Sequence, residues 1–453
     1  MSAFLGKENM DFPSPLGRGQ GEGSEWLSGT KKSGWLIGLL LLAGLCRAQD
    51  PERVLTLEQS VQVALQNSQA LLSARDDVRI AQQRIVEARS LYYPTLAFNM
   101  NASRYRSDDY VALPDDFGST VLSRSDQPDN FYAGRLALRQ TIYNGGRNQA
   151  NLHLAEAALA QAKIREETVR SQVTVDTVKA FFDVLLAQKR LALVGAAQRD
   201  ILDLSGRVRA GDDFEKGTLA SMAARLRREQ AERRRELDAA SLSYLSAVGI
   251  ELYTQVSLSG ELNTSEELDP LAKLLARAQE SRVEIRGTEY QREIDRLAVN
   301  LSESQRNPVV VFGAAYELNN EVFPLDRAFW NATLNVNLPL FDGFASRARI
   351  RQSRLIADQN RIARATVEDR INREVRESYA EVTFWESEMK GRKDDLDRLQ
   401  SLVGKLGAKR SPLDLAPLRS ELLAAEESYW ESVHGHRVAR ARLAKAVGTP
   451  FAP

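Results

Sequence analysis

The chain has 453 residues, enough for about two or three ordinary domains. Hydrophobic residues make up 43% and charged residues 27%, which excludes a disordered chain. Lysine plus arginine and aspartate plus glutamate both total 61, so zero net charge gives no basis for nucleic-acid binding. In chain order, residues 1–30 are rich in Gly, Ser and Pro and read as an over-called start or a disordered extension.

Residues 31–48 read as a secretory signal. Lys31-Lys32 is its basic start, and the apolar run from Trp35 to Leu45 is too short to span a bilayer comfortably. Cys46 and Ala48 place small residues before a cut after Ala48. A retained anchor is the alternative. Lipidation at Cys46 is a weaker one, because Leu45 stands where a small residue is expected. Cys46 is the only cysteine, so a chain cut after Ala48 has no thiol left for a disulfide.

From Thr56, which can cap it, a helix runs to Ser68 with Leu57, Val61, Ala64 and Leu65 on one stripe. Helix continues from Gln69 to Leu91 and stops at Tyr93-Pro94. Thr95 to Tyr105 alternates Leu96, Phe98, Met100 and Ala102 with Asn99, Asn101 and Ser103, which predicts a two-faced strand. A loop from Ser107 to Asn130 carries Asp108, Asp109, Asp115, Asp116, Asp126 and Asp129. Phe131 to Tyr143 closes the hairpin, with Leu136, Leu138 and Ile142 on one face and Arg135, Arg139 and Thr141 on the other. Asn144-Gly145-Gly146 turns the chain into a helix from about Asn148 to Val208, roughly 60 residues and ~90 Å of rise. A turn over Ala210 to Gly217 reverses it, and Thr218 to Val248 returns.

The same order then recurs. Asp269 to Gln279 and Val283 to Glu303 read as helix, Asn307-Pro308 as a stop, and Val309 to Leu318 as a strand. Phe329 to Phe341 reads as the next strand, alternating Trp330, Ala332, Leu334, Val336, Leu338 and Leu340 with Asn331, Thr333, Asn335 and Asn337. Asp342-Gly343 turns into a proline-free helix from Ala345 to about Gly404, followed by a turn near Gly407 to Pro412 and a return helix from Leu413 to Val447. Setting Asn144-Gly145 on Asp342-Gly343 puts Gln161 on Gln359 and Phe181 on Tyr379 without a gap, so 49–265 and 266–453 read as duplicated units.

Strands of about ten to twelve residues with one apolar and one polar face suit lipid on one side and water on the other. Four of them cannot close a barrel, and an open edge in lipid leaves N–H and C=O groups unpaired at several kcal/mol each. Two chains would give about eight strands, a barrel filled by its own side chains; three would give about twelve and a lumen. The expected fold is therefore an α+β membrane protein. A trimeric twelve-stranded β-barrel, four strands per chain, continues into a long α-helical barrel.

At LPLFDG (Leu338 to Gly343), at its earlier counterpart Gln140 to Arg147, and at the tip Arg207 to Leu226, the sequence resembles the TolC-type outer-membrane efflux family. The resemblance covers about Val54 to Thr449 and rests on duplication, strand placement and tip turns together. It implies a homotrimer in the outer membrane of a Gram-negative-type bacterium, with the helical barrel hanging in the periplasm. It also implies docking to a periplasmic adaptor (membrane fusion) protein, which links the channel to an inner-membrane transporter. The tip turns that would meet the adaptor hold Ala210, Gly211, Asp212, Asp213, Lys216 and Gly217, and Gly407 and Lys409. The family closes its periplasmic end with salt bridges and aspartate rings. Arg410 falls where it has a gate arginine and Asp414 on its first ring aspartate, whereas the second falls on Pro417 and Thr218 sits near another usual aspartate. Solvated turn charges are the plain alternative for both gate residues.

On the polar strand faces Arg135, Arg139, Asn331 and Asn335 are candidates to line the barrel lumen; for the arginines an interfacial position at one barrel end fits equally. His153, His434 and His436 make no metal set, since His434 and His436 do not share a helix face. Asn144-Gly145-Gly146 lacks the Lys-Ser/Thr of a phosphate loop, and Arg225 to Arg235 alternates with glutamates as a solvated helix face does. No cofactor, catalytic pair or nucleic-acid partner is expected. The expected function is a passive exit duct for substrates delivered by a pump, in small-molecule efflux or type I protein secretion. A structural trimeric stalk or adhesin is the alternative from another class.

Overall fold

The structure is a computed structural model that describes residues 53–104, 111–112, 121–122, 130–209, 212–260, 268–406 and 410–449. The expected extension and signal with Cys46, the loop aspartates, and Ala210, Gly211, Gly407 and Lys409 lie outside the described residues.

The elements run β1 (Arg53–Leu55), α1 (Leu57–Asn67), α2 (Gln69–Ser90), β2 (Thr95–Arg104), β3 (Val111–Ala112), β4 (Val121–Leu122), β5 (Asn130–Tyr143), α3 (Arg147–Gly206) and α4 (Asp213–Val248). They continue with β6 (Val256–Leu258), α5 (Leu271–Ser281), α6 (Val283–Ser304), β7 (Val309–Asn320), β8 (Arg327–Asn337), α7 (Ala345–Leu406) and α8 (Pro412–Val447). No described helix is long and apolar enough to cross a membrane.

The long strands form an antiparallel sheet in the order β2-β5-β7-β8. Its register explains the alternation. Phe98, Leu136, Tyr316 and Trp330 lie side by side across the sheet, and the next row is Asn99, Arg135, Glu317 and Phe329. Successive side chains point to opposite faces, so the first row and its equivalents make an apolar face. That face stands open, with Trp330 75% exposed. The edges β2 and β8 have no strand partner within the described residues.

Each strand is mounted on a helix. α2 leads into β2, β5 into α3, α6 into β7, and β8 into α7. Helix neighbours follow the strand order: α2 packs on α3, α3 on α6, and α6 on α7. With 60 and 62 residues, α3 and α7 rise ~90 Å. The wall is thin, and its apolar packing sits in separate clusters. One surrounds Phe181 and Tyr244, one joins Leu219 and Leu415 at the far end, and one joins Leu274, Ile371 and Leu443.

Several boundaries differ from the sequence reading. β8 stops at Asn337, not Phe341. Val309 and Asn337 form the last pair, and the prolines just beyond, Pro308 and Pro339, have no N–H to extend the ladder. α4 begins at Asp213, so Asp213, Lys216 and Gly217 are helical and not turn residues. Asp212 starts that helix by accepting from the Glu215 N–H at 3.1 Å. Likewise Ser411 caps α8 by accepting from the Asp414 N–H at 3.2 Å, which puts Asp414 in the first helical turn. The parallel pairing of β1 with β6, three residues each, was not expected. It ties the start of the described chain to the segment after α4.

Gly435 shows how closely α7 and α8 pack. A Cβ built there meets the Trp385 ring at 2.5 Å. Helix propensity alone would make Gly435→Ala stabilising by about 1 kcal/mol. Overpacking against an indole costs about 1–3 kcal/mol, and more when the ring is as close as here. The variant is therefore expected to melt lower in detergent. An unchanged or higher midpoint would mean that Trp385 swings away freely.

Candidate functional site

The polar sheet face is concave and encloses about 580 Å³. Arg135, Arg139, Asn331 and Asn335 all line this one concavity, with Thr333, Asn337 and Arg147. The register sets them there: Arg139 pairs Gly313, which pairs Thr333, and Val311 pairs Asn335. Residues without bulk on β7, Gly313 and Ala315, leave the room. Glu317 was not singled out by sequence. It stands on the same face, opposite Arg135 and only 4% exposed, and the Asn319 amide donates to its carboxylate at 3.2 Å. The alternation of β7 would have found it.

Below the sheet, the turn into α7 is fixed by Asp342. Its carboxylate accepts from the Ser346 N–H at 2.8 Å and from the Ser346 hydroxyl. These two bonds, hydroxyl first, hold the Asp342 carboxyl below its ordinary range. Gly343 and Phe344 follow at φ 65° and 69°; Gly145 and Gly146 precede α3 at 70° and 88°. Left-handed backbone is natural for glycine and unusual for phenylalanine.

At the far end, Arg410 and Asp414 line one shallow groove of about 440 Å³ with Leu406 and Glu421. Both are exposed, and no ion pair joins them among the described residues. Asp212, Asp213, Lys216 and Gly217 stand exposed beside this end, as does Phe214 at 77%. Glu215 does a different job from that of a solvated turn charge: its carboxylate accepts from the Leu413 N–H at 2.7 Å and ties the start of α4 to the start of α8. Among the described residues no group of His, Cys, Asp and Glu could hold a metal ion.

Residues 60–201 match the family described as outer membrane efflux protein. "Protein CyaE" of Bordetella pertussis is 26% identical over 328 residues, 68% of this chain. The match spans 66% of that relative, just under two thirds of its length. "Outer membrane efflux protein BepC" of Brucella suis is 23% identical over 415 residues, covering 87% of this chain and 85% of the relative. The open-state MtrE outer membrane channel of Neisseria gonorrhoeae superposes with a TM-score of 0.71 at 16% identity, over 87% of this chain and 89% of the channel. At that identity the likeness speaks to the fold alone. By partial sequence match and by fold the chain is similar to outer membrane efflux proteins, the TolC-type family that its strand-to-helix junctions resemble.

Proposed function

We propose that the chain is one protomer of a homotrimeric exit duct in the outer membrane, reaching into the periplasm. It conducts passively what an inner-membrane transporter and a periplasmic adaptor deliver, and it catalyses nothing. The observation that carries this reading is the sheet: apolar on one face, concave and polar on the other, and without a strand partner along β2 and β8 among the described residues. Such a sheet in lipid needs its edges joined, and three copies give about twelve strands around a water-filled lumen.

The helices support the same closure. Roughly 15 Å below the sheet, α2 exposes Ile80 and α7 exposes Leu355; at roughly 27 Å they expose Leu72 and Ile362. These are the two open flanks of the wall, at matching heights, and a second copy would cover both. Duplication of 49–265 in 266–453 is supported by the paired left-handed turns before α3 and α7. It is supported again by Gly249 and Gly448, which end α4 and α8 at φ 73° and 78°.

In this reading Arg135, Arg139, Asn331 and Asn335 line the lumen. Asp212, Asp213, Lys216 and Gly217, with Ala210, Gly211, Gly407 and Lys409, form the surface for the adaptor. Three copies of Asp414 face the axis with Arg410 beside them, and a ring of carboxylates attracts cations.

Planar-bilayer recording on the purified trimer tests this. Discrete ion-conducting openings are expected, and Asp414→Ala is expected to lower cation-over-anion permeability about twofold and weaken block by trivalent cations. A trimer that never conducts would be a stalk, not a duct. Unchanged selectivity would remove Asp414 from the pore while leaving the duct standing.

A further inference from the structure

A groove of about 750 Å³ lies at the seam between sheet and helices and shares no residue with the concave cavity. It brings together Arg306, Arg347, Arg351 and Arg354 against two carboxylates, Glu303 and Asp342. Both carboxylates are already engaged. Glu303 pairs with Arg354 at 2.7 Å, and Asp342 holds the Ser346 hydroxyl and N–H. Arg306, Arg347 and Arg351 have no ion pair among the described residues. Beside them stand Phe341, 77% exposed, and Phe344, with the Arg347 guanidinium 5.6 Å from the Phe344 ring centroid.

Residues 347, 350, 351 and 354 share one face of α7 by their i, i+3, i+4, i+7 spacing. Arg147, the first residue of α3, lines the concave side. In α7 the corresponding first residue is Ala345, and Arg354 is turned ~180° from it at ~100° per residue. The arginine face therefore looks away from the lumen, at the level where the apolar sheet face ends.

We propose that this groove holds the phosphodiester headgroup of an anionic phospholipid of the periplasmic leaflet. The guanidinium groups take the phosphate oxygens, and Phe341 and Phe344 lie against the first part of the acyl chains. Charge complementarity selects this occupant. Guanidinium forks match phosphate geometry, and exposed phenylalanines beside them gain from lipid what water denies them. The inference rests on the outer-membrane reading above.

The test compares the wild-type trimer with Arg306→Gln/Arg347→Gln/Arg351→Gln. Both are placed in nanodiscs of equal phosphatidylglycerol and phosphatidylcholine, and the lipids retained on extraction are counted by native mass spectrometry. The wild type is expected to retain phosphatidylglycerol over phosphatidylcholine, and the variant to bind it about tenfold more weakly or worse while staying trimeric. Arg349→Gln, whose side chain instead donates to Gln305 at 2.8 Å, is expected to behave as wild type. Equal retention of the two lipids, or retention undiminished in the triple variant, would overturn the proposal. So would displacement of the lipid by millimolar inorganic phosphate, which marks a free-anion site. Loss of the trimer in the variant would also overturn it, because the groove would then be a subunit contact. Conductance of the same samples reports separately on the duct.

Discussion

Arg282→Ala is expected to destabilise the protein by about 3 kcal/mol, among the largest effects of any single truncation in the helical wall. Arg282 sits at the break between α5 and α6, and its side chain is only 6% exposed. It donates to the carbonyls of Lys445 at 2.9 Å and Ala446 at 3.3 Å. These are last-turn carbonyls of α8, beyond the reach of its own helical ladder; that of Lys445 also accepts from the Gly448 N–H at 3.0 Å. It also donates to Glu374 of α7 at 2.9 Å, and its Nε lies 2.9 Å from Glu284 of α6. One guanidinium thus joins α6, α7 and α8. Removing it takes a donor from the Ala446 carbonyl and leaves two carboxylates without their cation. Glu284 and Glu374 are 21% and 35% exposed and can turn partly to water, which keeps the cost at the low end for a broken buried pair. Thermal unfolding in detergent checks the size, and Arg282→Lys should recover part of it. A loss under about 1 kcal/mol would mean that water replaces the guanidinium as it does at exposed pairs.

Arg282 also marks where sequence reading stops. The strands were legible because alternation is a local property: Leu334, Asn335 and Val336 declare two faces within three positions. Long helices were legible from the absence of breakers, and Asp342-Gly343 from turn chemistry. The helix starts at Asp213 and Pro412 were hidden because Asp212 and Ser411 are caps, and cap residues look like turn residues. The β1–β6 pairing is too short to alternate visibly. The contacts of Arg282 cross 92 and 163 residues, and nothing near Arg282 announces them. In the site, residue type and alternation were enough to place Arg135, Arg139, Asn331 and Asn335 on one face. Glu215 could not be read in the same way, since its partner lies 198 residues away. The outward basic groove needed the seam itself, where α6 and α7 bring together arginines that are separate runs in sequence.

Acidification is expected to destabilise the folded chain between pH 6.5 and about 4, and His436 is the reason. The sequence set His434 and His436 aside as a metal pair because their spacing puts them on different helix faces. The structure gives each its own environment. His434 meets Asp183 of α3 at 2.7 Å, while His436 is 6% exposed and its Nδ1 has no hydrogen-bond partner among the described residues. Burial, then the positive charges of Arg440 and Arg437, push the His436 imidazole down to about 4 from an ordinary 6.5. Above pH 6.5 the ring is neutral in both the folded and unfolded chain, and its full contribution is present. As pH falls from 6.5 toward 4 the unfolded chain takes up a proton that the folded chain refuses, so stability drains away. Below about 4 the loss is complete, at about 3 kcal/mol. Asp183 acts in a lower window, because its carboxyl is held below 3.8. Glu426, whose carboxyl burial raises above 4.5, acts in the opposite sense as pH falls. The contribution of His436 is therefore read as a difference. His436→Leu keeps an apolar side chain in the same space and cannot take up a proton, so its melting temperature should fall less than that of the wild type between pH 6.5 and 4. Parallel curves for the two proteins over that range would show that His436 is already protonated in the fold.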